Sequence, residues 1–90
     1  MPVKLHVKGE SWTASNLDET PNEIRVRIKR PGDFENDSFR RIDIDKDKGI
    51  FAVIGKMTGQ ISTTIQAYRF EKKKGWNIQK VISWLERNNI

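Results

Sequence analysis

The strongest constraint on how this chain can fold lies between Gly75 and Ile90. Ile78, Val81, Ile82 and Leu85 recur at i, i+3, i+4 and i+7, one apolar stripe of a 3.6-residue helix. Gln79, Lys80, Ser83, Glu86 and Arg87 fall mostly on the other side. Asn77 is a favourable N-cap, because its side-chain oxygen can accept an otherwise orphaned first-turn N–H. Trp76 before the cap and Val81 after it hold the positions of a hydrophobic staple. Gly75 frees the entering backbone, and Asn88-Asn89 is a stop. A helix of about twelve residues is marginal alone. It must dock on something.

The remainder of the chain reads as β-structure, in keeping with eleven isoleucines and five valines. Val3, Leu5 and Val7 alternate with Lys4, His6 and Lys8, and residues 11–15 form a second short strand carrying Trp12. Residues 16–22 read as a polar connection, with Pro21 opposing continuation of a strand. Residues 23–30 give the clearest alternation, with Ile24, Val26 and Ile28 on one face and Arg25, Arg27 and Lys29 on the other. Pro31-Gly32 ends that strand with turn chemistry, and Phe34 is expected to pack inward from the polar loop 33–38. Residues 39–45 resume the alternation, Ile42 and Ile44 inward, Arg41, Asp43 and Asp45 outward. Lys46-Asp47-Lys48-Gly49 turns the chain into residues 50–57. Their run IFAVIG is nearly all apolar and predicts a central strand buried on both faces. Thr58-Gly59-Gln60 is the next turn, and residues 61–70 the last strand, Gln66 sharing a face with Tyr68 and Phe70. The expectation is one α+β domain over 1–90: a small antiparallel sheet of four to six strands, with one C-terminal helix on the face that carries Ile24, Val26, Ile28, Ile42 and Ile44.

Composition narrows the functional classes. Ninety residues support one core, and the absence of cysteine removes disulfides and thiolate metal sites and fits a reducing, cytoplasmic setting (the host cytoplasm if the source is viral). No apolar run approaches the ~20 residues of a membrane span, and residues 1–15 lack the apolar stretch of a signal peptide. The net charge of +5 favours a polyanionic partner, although mixed signs at 32% charged residues also describe an ordinary solvated surface.

Catalytic and ligand motifs fail on inspection. Asp43, Asp45 and Asp47 mimic the start of a calcium loop, but Lys48 stands where glycine is required and Ile54 where a bidentate glutamate is required. Gly55-Lys56 lacks the spacing and the following hydroxyl of a phosphate-binding loop, and lies in a strand. His6, the only histidine, sits between two lysines on a short strand. No catalytic residue, metal or cofactor is expected.

Basic residues are the remaining candidates. Arg25, Arg27 and Lys29 line one strand face, Arg40 and Arg41 open another strand, and Lys72, Lys73 and Lys74 precede the helix. Lys56 and Arg69 extend the set. Neighbouring strands would turn these ten into a surface that tracks phosphates, with Trp12, Tyr68 and Trp76 as stacking platforms if exposed. Against this, Asp43, Asp45 and Asp47 lie among them and would neutralise part of the patch. Trp76 is better read as a staple and Trp84 as a core-edge residue.

From Arg25 onward the chain resembles a short segment of tailed-phage and prophage proteins associated with head-maturation (prohead) proteases. The resemblance rests on Ser38-Phe39-Arg40, on GIFAVIGK from Gly49 to Lys56, on TIQAYRF from Thr64 to Phe70, on Gly75-Trp76 and on Trp84-Leu85. It covers roughly two-thirds of the chain, mostly at strand and staple positions, and the protease's catalytic residues have no counterpart. It implies an accessory or fused module of phage head assembly, or a free-standing viral or prophage protein. The functional expectation is a non-enzymatic basic binding module acting through protein–protein contact, with no membrane role. The alternative is a DNA- or RNA-binding domain using the basic strand face.

Overall fold

The computed structural model describes residues 16–90 in full and, of the first fifteen, only the backbone of two short strands. These are β1 (Leu5–Val7) and β2 (Glu10–Trp12), which pair antiparallel with Leu5 opposite Trp12. The expected strand positions Val3 and 13–15, and the side chains of His6 and Trp12, lie outside the described residues.

The main sheet has five antiparallel strands, β3 (Leu17–Glu19), β4 (Glu23–Arg27), β5 (Arg40–Asp45), β6 (Ile50–Lys56) and β7 (Thr63–Glu71), in the order β3-β4-β7-β6-β5. Strands β5, β6 and β7 follow one another through tight turns. The chain between β4 and β5 instead crosses one end of the sheet, so β4 lies beside β7. This is a Greek key, and its central strand is β7. One helix, α1 (Ile78–Arg87), follows.

Local chemistry explains the turns and caps. Asp45 accepts the Lys48 N–H at 3.2 Å, and Gly49 adopts φ +71° to close the β5–β6 turn. Asn77 accepts the Lys80 N–H at 2.9 Å, as an N-cap should. At the other end the Ile90 N–H donates to the Leu85 carbonyl and the Asn89 N–H to the Glu86 carbonyl, with Asn89 left-handed at φ 57°. That is a Schellman stop using asparagine in place of glycine.

Cross-strand pairing sorts the side chains onto two faces. Ile24 and Ile50 flank Phe70, and Val26 and Ala52 flank Tyr68. All six are buried on one face, where Val81 and Leu85 of α1 join them. Trp84 closes the margin edge-on to Tyr68 and Phe70, at centroid distances of 5.5 and 5.3 Å. Trp76 rests on Phe70 at 4.9 Å and donates its indole N–H to the Lys48 carbonyl at 2.6 Å, which ties the helix entrance to the β5–β6 turn.

Several boundaries differ from the expectations. Residues 16–22, read as a connection, contain β3, whose Leu17 packs on the core while Asp18 faces Arg25. Ile42 and Ile44 are not inward: they are 38% and 40% exposed. A helix about 10–12 Å wide covers two or three strands spaced ~4.8 Å apart. Centred over β4, β7 and β6, α1 leaves the β5 edge bare. β4 ends at Arg27 rather than Arg30, because the Ile28 and Lys29 N–H groups both turn to the Gln66 carbonyl. Gln66 is also where β7 bulges: Ala67 faces Val53 but Ile65 faces Ile54. Ile65 therefore packs with Tyr68 and Phe70, while Gln66 points to the other face and donates to the Lys29 carbonyl at 2.9 Å. The last strand begins at Thr63, leaving Ile61 fully in solvent. IFAVIG is an interior strand, though Val53 and Ile54 are only half-buried.

Candidate functional site

Among the described residues, no helix lies over the second face of the sheet. Strand alternation and register place Asp18, Arg25, Arg69, Phe51 and Asp43 across it in one row. Arg27, Ala67, Val53 and Arg41 form the next. At one end Phe34 and Phe39 of the crossing segment close over Gly55, where a β-carbon would stand 2.8 Å from the Phe34 ring. Arg25, Arg27 and Arg69 are thus brought together on adjacent strands, while Arg41 shares their face at the far edge, with Ala67 and Val53 between it and Arg27.

The charges on this face are interleaved. Glu23 lies among the arginines, accepting from the Arg25 Nε at 2.7 Å and standing 3.7 Å from the Arg69 Nη1. Two guanidinium groups on adjacent strands repel, and a shared carboxylate relieves this. The Nε of Arg69 is buried with no hydrogen-bond partner, a donor left unused. Arg41 stacks its guanidinium 3.7 Å above the Phe51 ring, and its Nη2 lies 3.9 Å from Asp43. A shallow cleft of about 740 Å³ runs beside them, lined by Glu23, Arg41, Phe51, Glu71, Lys72 and Lys73 among others. A second, of about 290 Å³, lies between Arg25, Arg27, Gln66 and Arg69.

The other predicted cations are dispersed. Lys72 is held by Glu19 at 2.7 Å, Lys73 by Glu71 at 3.3 Å and Lys56 by Glu35 at 3.7 Å. Arg40 opposes Ile54, on the helix-side face of the β5 edge. Lys29 is exposed past the end of β4, and the Lys74 stem lies against Gly49. Lys29, Arg40 and Lys74 form no ion pair among the described residues. The stacking platforms do not assemble: Tyr68 is in the core, where burial raises its hydroxyl pKa, and Trp76 is committed to Phe70 and Lys48. Sequence reasoning missed Phe51, Glu23 and Gln66. The signal for the first two was present, since Phe51 alternates with the buried Ile50 and Ala52, and Glu23 shares the parity of Arg25.

Among the described residues no cluster of three or more His, Cys, Asp or Glu side chains is arranged to hold a metal ion, and no helix is long and apolar enough to cross a membrane. No protein-family model, no curated protein and no solved structure matches the chain.

Proposed function

We propose that the chain is a small non-enzymatic binding module that docks a protein partner through its uncovered sheet face. The supporting observation is Glu23 seated between Arg25 and Arg69, with Asp43 near Arg41 and Glu71 beside Lys73. A surface alternating in sign complements a partner that also carries both signs. A polyphosphate would meet Glu23, Asp43 and Glu71 as repulsion. The reading places the module in a cytoplasm, and the phage-like segments would make its partner a component of viral head assembly.

One observation favours a second reading, DNA or RNA. Four arginines, Arg25, Arg27, Arg41 and Arg69, share one face. Fluorescence anisotropy separates the two. Labelled duplex DNA, single-stranded DNA and RNA are titrated with the protein at about 50 and 200 mM salt. Binding through several phosphates weakens with a log–log slope of roughly −0.9 per contact on duplex DNA. On our reading no saturable binding with such a slope appears. Its appearance, abolished by Arg25→Glu with Arg27→Glu, would replace the protein reading. For the protein reading itself, a partner captured by the parent from nuclease-treated lysate of its source should be lost by that same double variant. Retention on the folded variant would remove this face from the interface.

A further inference from the structure

The sheet has two edges, and they differ. The β3 edge is three residues long, with adjacent acids Asp18 and Glu19. The β5 edge presents six residues, Arg40–Asp45, and no described element pairs beyond it. Two of the three large apolar side chains exposed among the described residues, Ile42 and Ile44, stand on it. An open edge strand is a template for another strand.

The sequence of this edge is Arg-Arg-Ile-Asp-Ile-Asp. Natural edges are commonly blunted by charge, and here the charge is sorted into a positive half and a negative half. A parallel copy would set Arg against Arg and Asp against Asp. An antiparallel copy sets Arg against Asp. Register narrows the choice further, because directly opposed residues must share a face. Arg41 and Asp43 project on the uncovered side, while Arg40 and Ile42 lie on the helix side. A two-fold axis at Ile42 satisfies this: Arg41 then faces Asp43 of the second copy, twice, and Ile42 faces its own mate. An axis at Asp43 would put two aspartates together. Arg41 and Asp43 are more than half exposed and only 3.9 Å apart within the chain, a weak pair open to exchange.

The geometry points to a second copy of this chain as the occupant of the β5 edge, in an isologous antiparallel pairing centred on Ile42. Two five-stranded sheets would become one of ten. The uncovered arginine-bearing faces would lie side by side and double any surface they present. This inference does not rest on the identity of a partner for that face. The interface is small, two six-residue strands and their flanking side chains. It belongs with the weak contacts that bury under about 1,200 Å².

The test is a charge exchange read by sedimentation equilibrium over roughly 5 µM to 1 mM, the range in which such contacts half-associate. The parent should move from the mass of one chain toward that of two. Asp43→Arg places Arg41 opposite an arginine, Arg41→Asp places Asp43 opposite an aspartate, and each variant should stay at the mass of one chain. Mixed one to one, they restore both oppositions and should associate again, as should the double exchange Arg41→Asp/Asp43→Arg. Because Arg41 also covers Phe51, folding of each variant is checked by circular dichroism. A second readout needs no variant: amide exchange in 40–45 should slow as parent concentration rises. A parent that stays monomeric at 1 mM with unchanged exchange would overturn the proposal. So would association equal in the parent and both single variants, or a mixture that stays monomeric.

Discussion

Removing the Leu85 side chain beyond its β-carbon tests whether the helix is held as described. Leu85 is fully buried, in contact with a core drawn from β4, β6 and β7. Leucine-to-alanine changes in cores cost about 2–5 kcal/mol, depending on how far the neighbours collapse into the space. Collapse is restricted here. Trp84, the adjacent residue, is wedged edge-on against Tyr68 and Phe70, and the helix is pinned at its entrance by the Trp76 bond to Lys48 and at its exit by the Leu85 and Glu86 carbonyls. A loss near the middle of the range, about 3 kcal/mol, is expected. At roughly 0.05–0.15 kcal/mol per residue, the whole domain has about 5–13 kcal/mol to lose. Urea unfolding followed by tryptophan fluorescence reads the change. With a slope of about 1–3 kcal/mol per M, the midpoint should fall by about 1–3 M while the slope holds. Ile61→Ala is the control, since Ile61 is 95% exposed and its loss should stay within about 0.5 kcal/mol. An unchanged midpoint for Leu85→Ala would refute the docked helix, and equal losses at both positions would refute the assignment of faces.

Asn77→Ala should cost about 1 kcal/mol and speed amide exchange in the first helical turn, whereas Asn77→Asp should keep the cap. Gly49→Ala sets an L side chain at φ +71° and a β-carbon 2.6 Å from the Lys74 stem. It should cost at least the roughly 1–2 kcal/mol of left-handed backbone, seen as a lower melting temperature. Tyr68, the only tyrosine, supplies a pH prediction. Burial raises its folded pKa above the 10.0 of a free tyrosine, so the fold favours the protonated hydroxyl. That contribution is intact below pH 10 and is lost as pH rises from there through the folded pKa. Absorbance at 295 nm should therefore show ionisation later than in free tyrosine and together with loss of circular dichroism. Ionisation at the free value with the fold intact would place the hydroxyl in water.

The helix was legible because every signal for it is local: the stripe, the cap at Asn77 and the stop at Asn88-Asn89 lie within one short window. The same locality shows Ile24 and Val26 opposite Arg25 and Arg27. What escaped is set by residues distant in the chain. Alternation assigns Ile42 and Ile44 to a face but cannot say that β5 is the edge. That follows from β4 pairing with β7, a choice made between Ile24 and Phe70. β3 was hidden because a three-residue strand with one apolar side chain carries almost no periodic signal. The Gln66 bulge left the alternation of its neighbours looking continuous, so the strand read as unbroken. On the candidate face, Arg25 and Arg27 were visible together, while Arg41 and Arg69 joined them only through strand order. Glu23 was overlooked although its parity placed it there, and it is the residue that most changes the electrostatics of the face.

The Greek key also governs the order of events while the chain is being made. The pairing of Ile24 with Phe70 spans 46 positions, taken as 70 minus 24. At about 5–20 residues per second, a ribosome needs roughly 2–9 s to deliver β7 after β4 has appeared. Through that interval β4 has only the three-residue β3 beside it, since β5 and β6 can pair with each other but not with β4. A newly made chain therefore carries one open edge of β4 and the apolar face of Ile24 and Val26 uncovered until β7 and the helix arrive. A nascent-chain chaperone or a protease has that window in which to find residues 23–27.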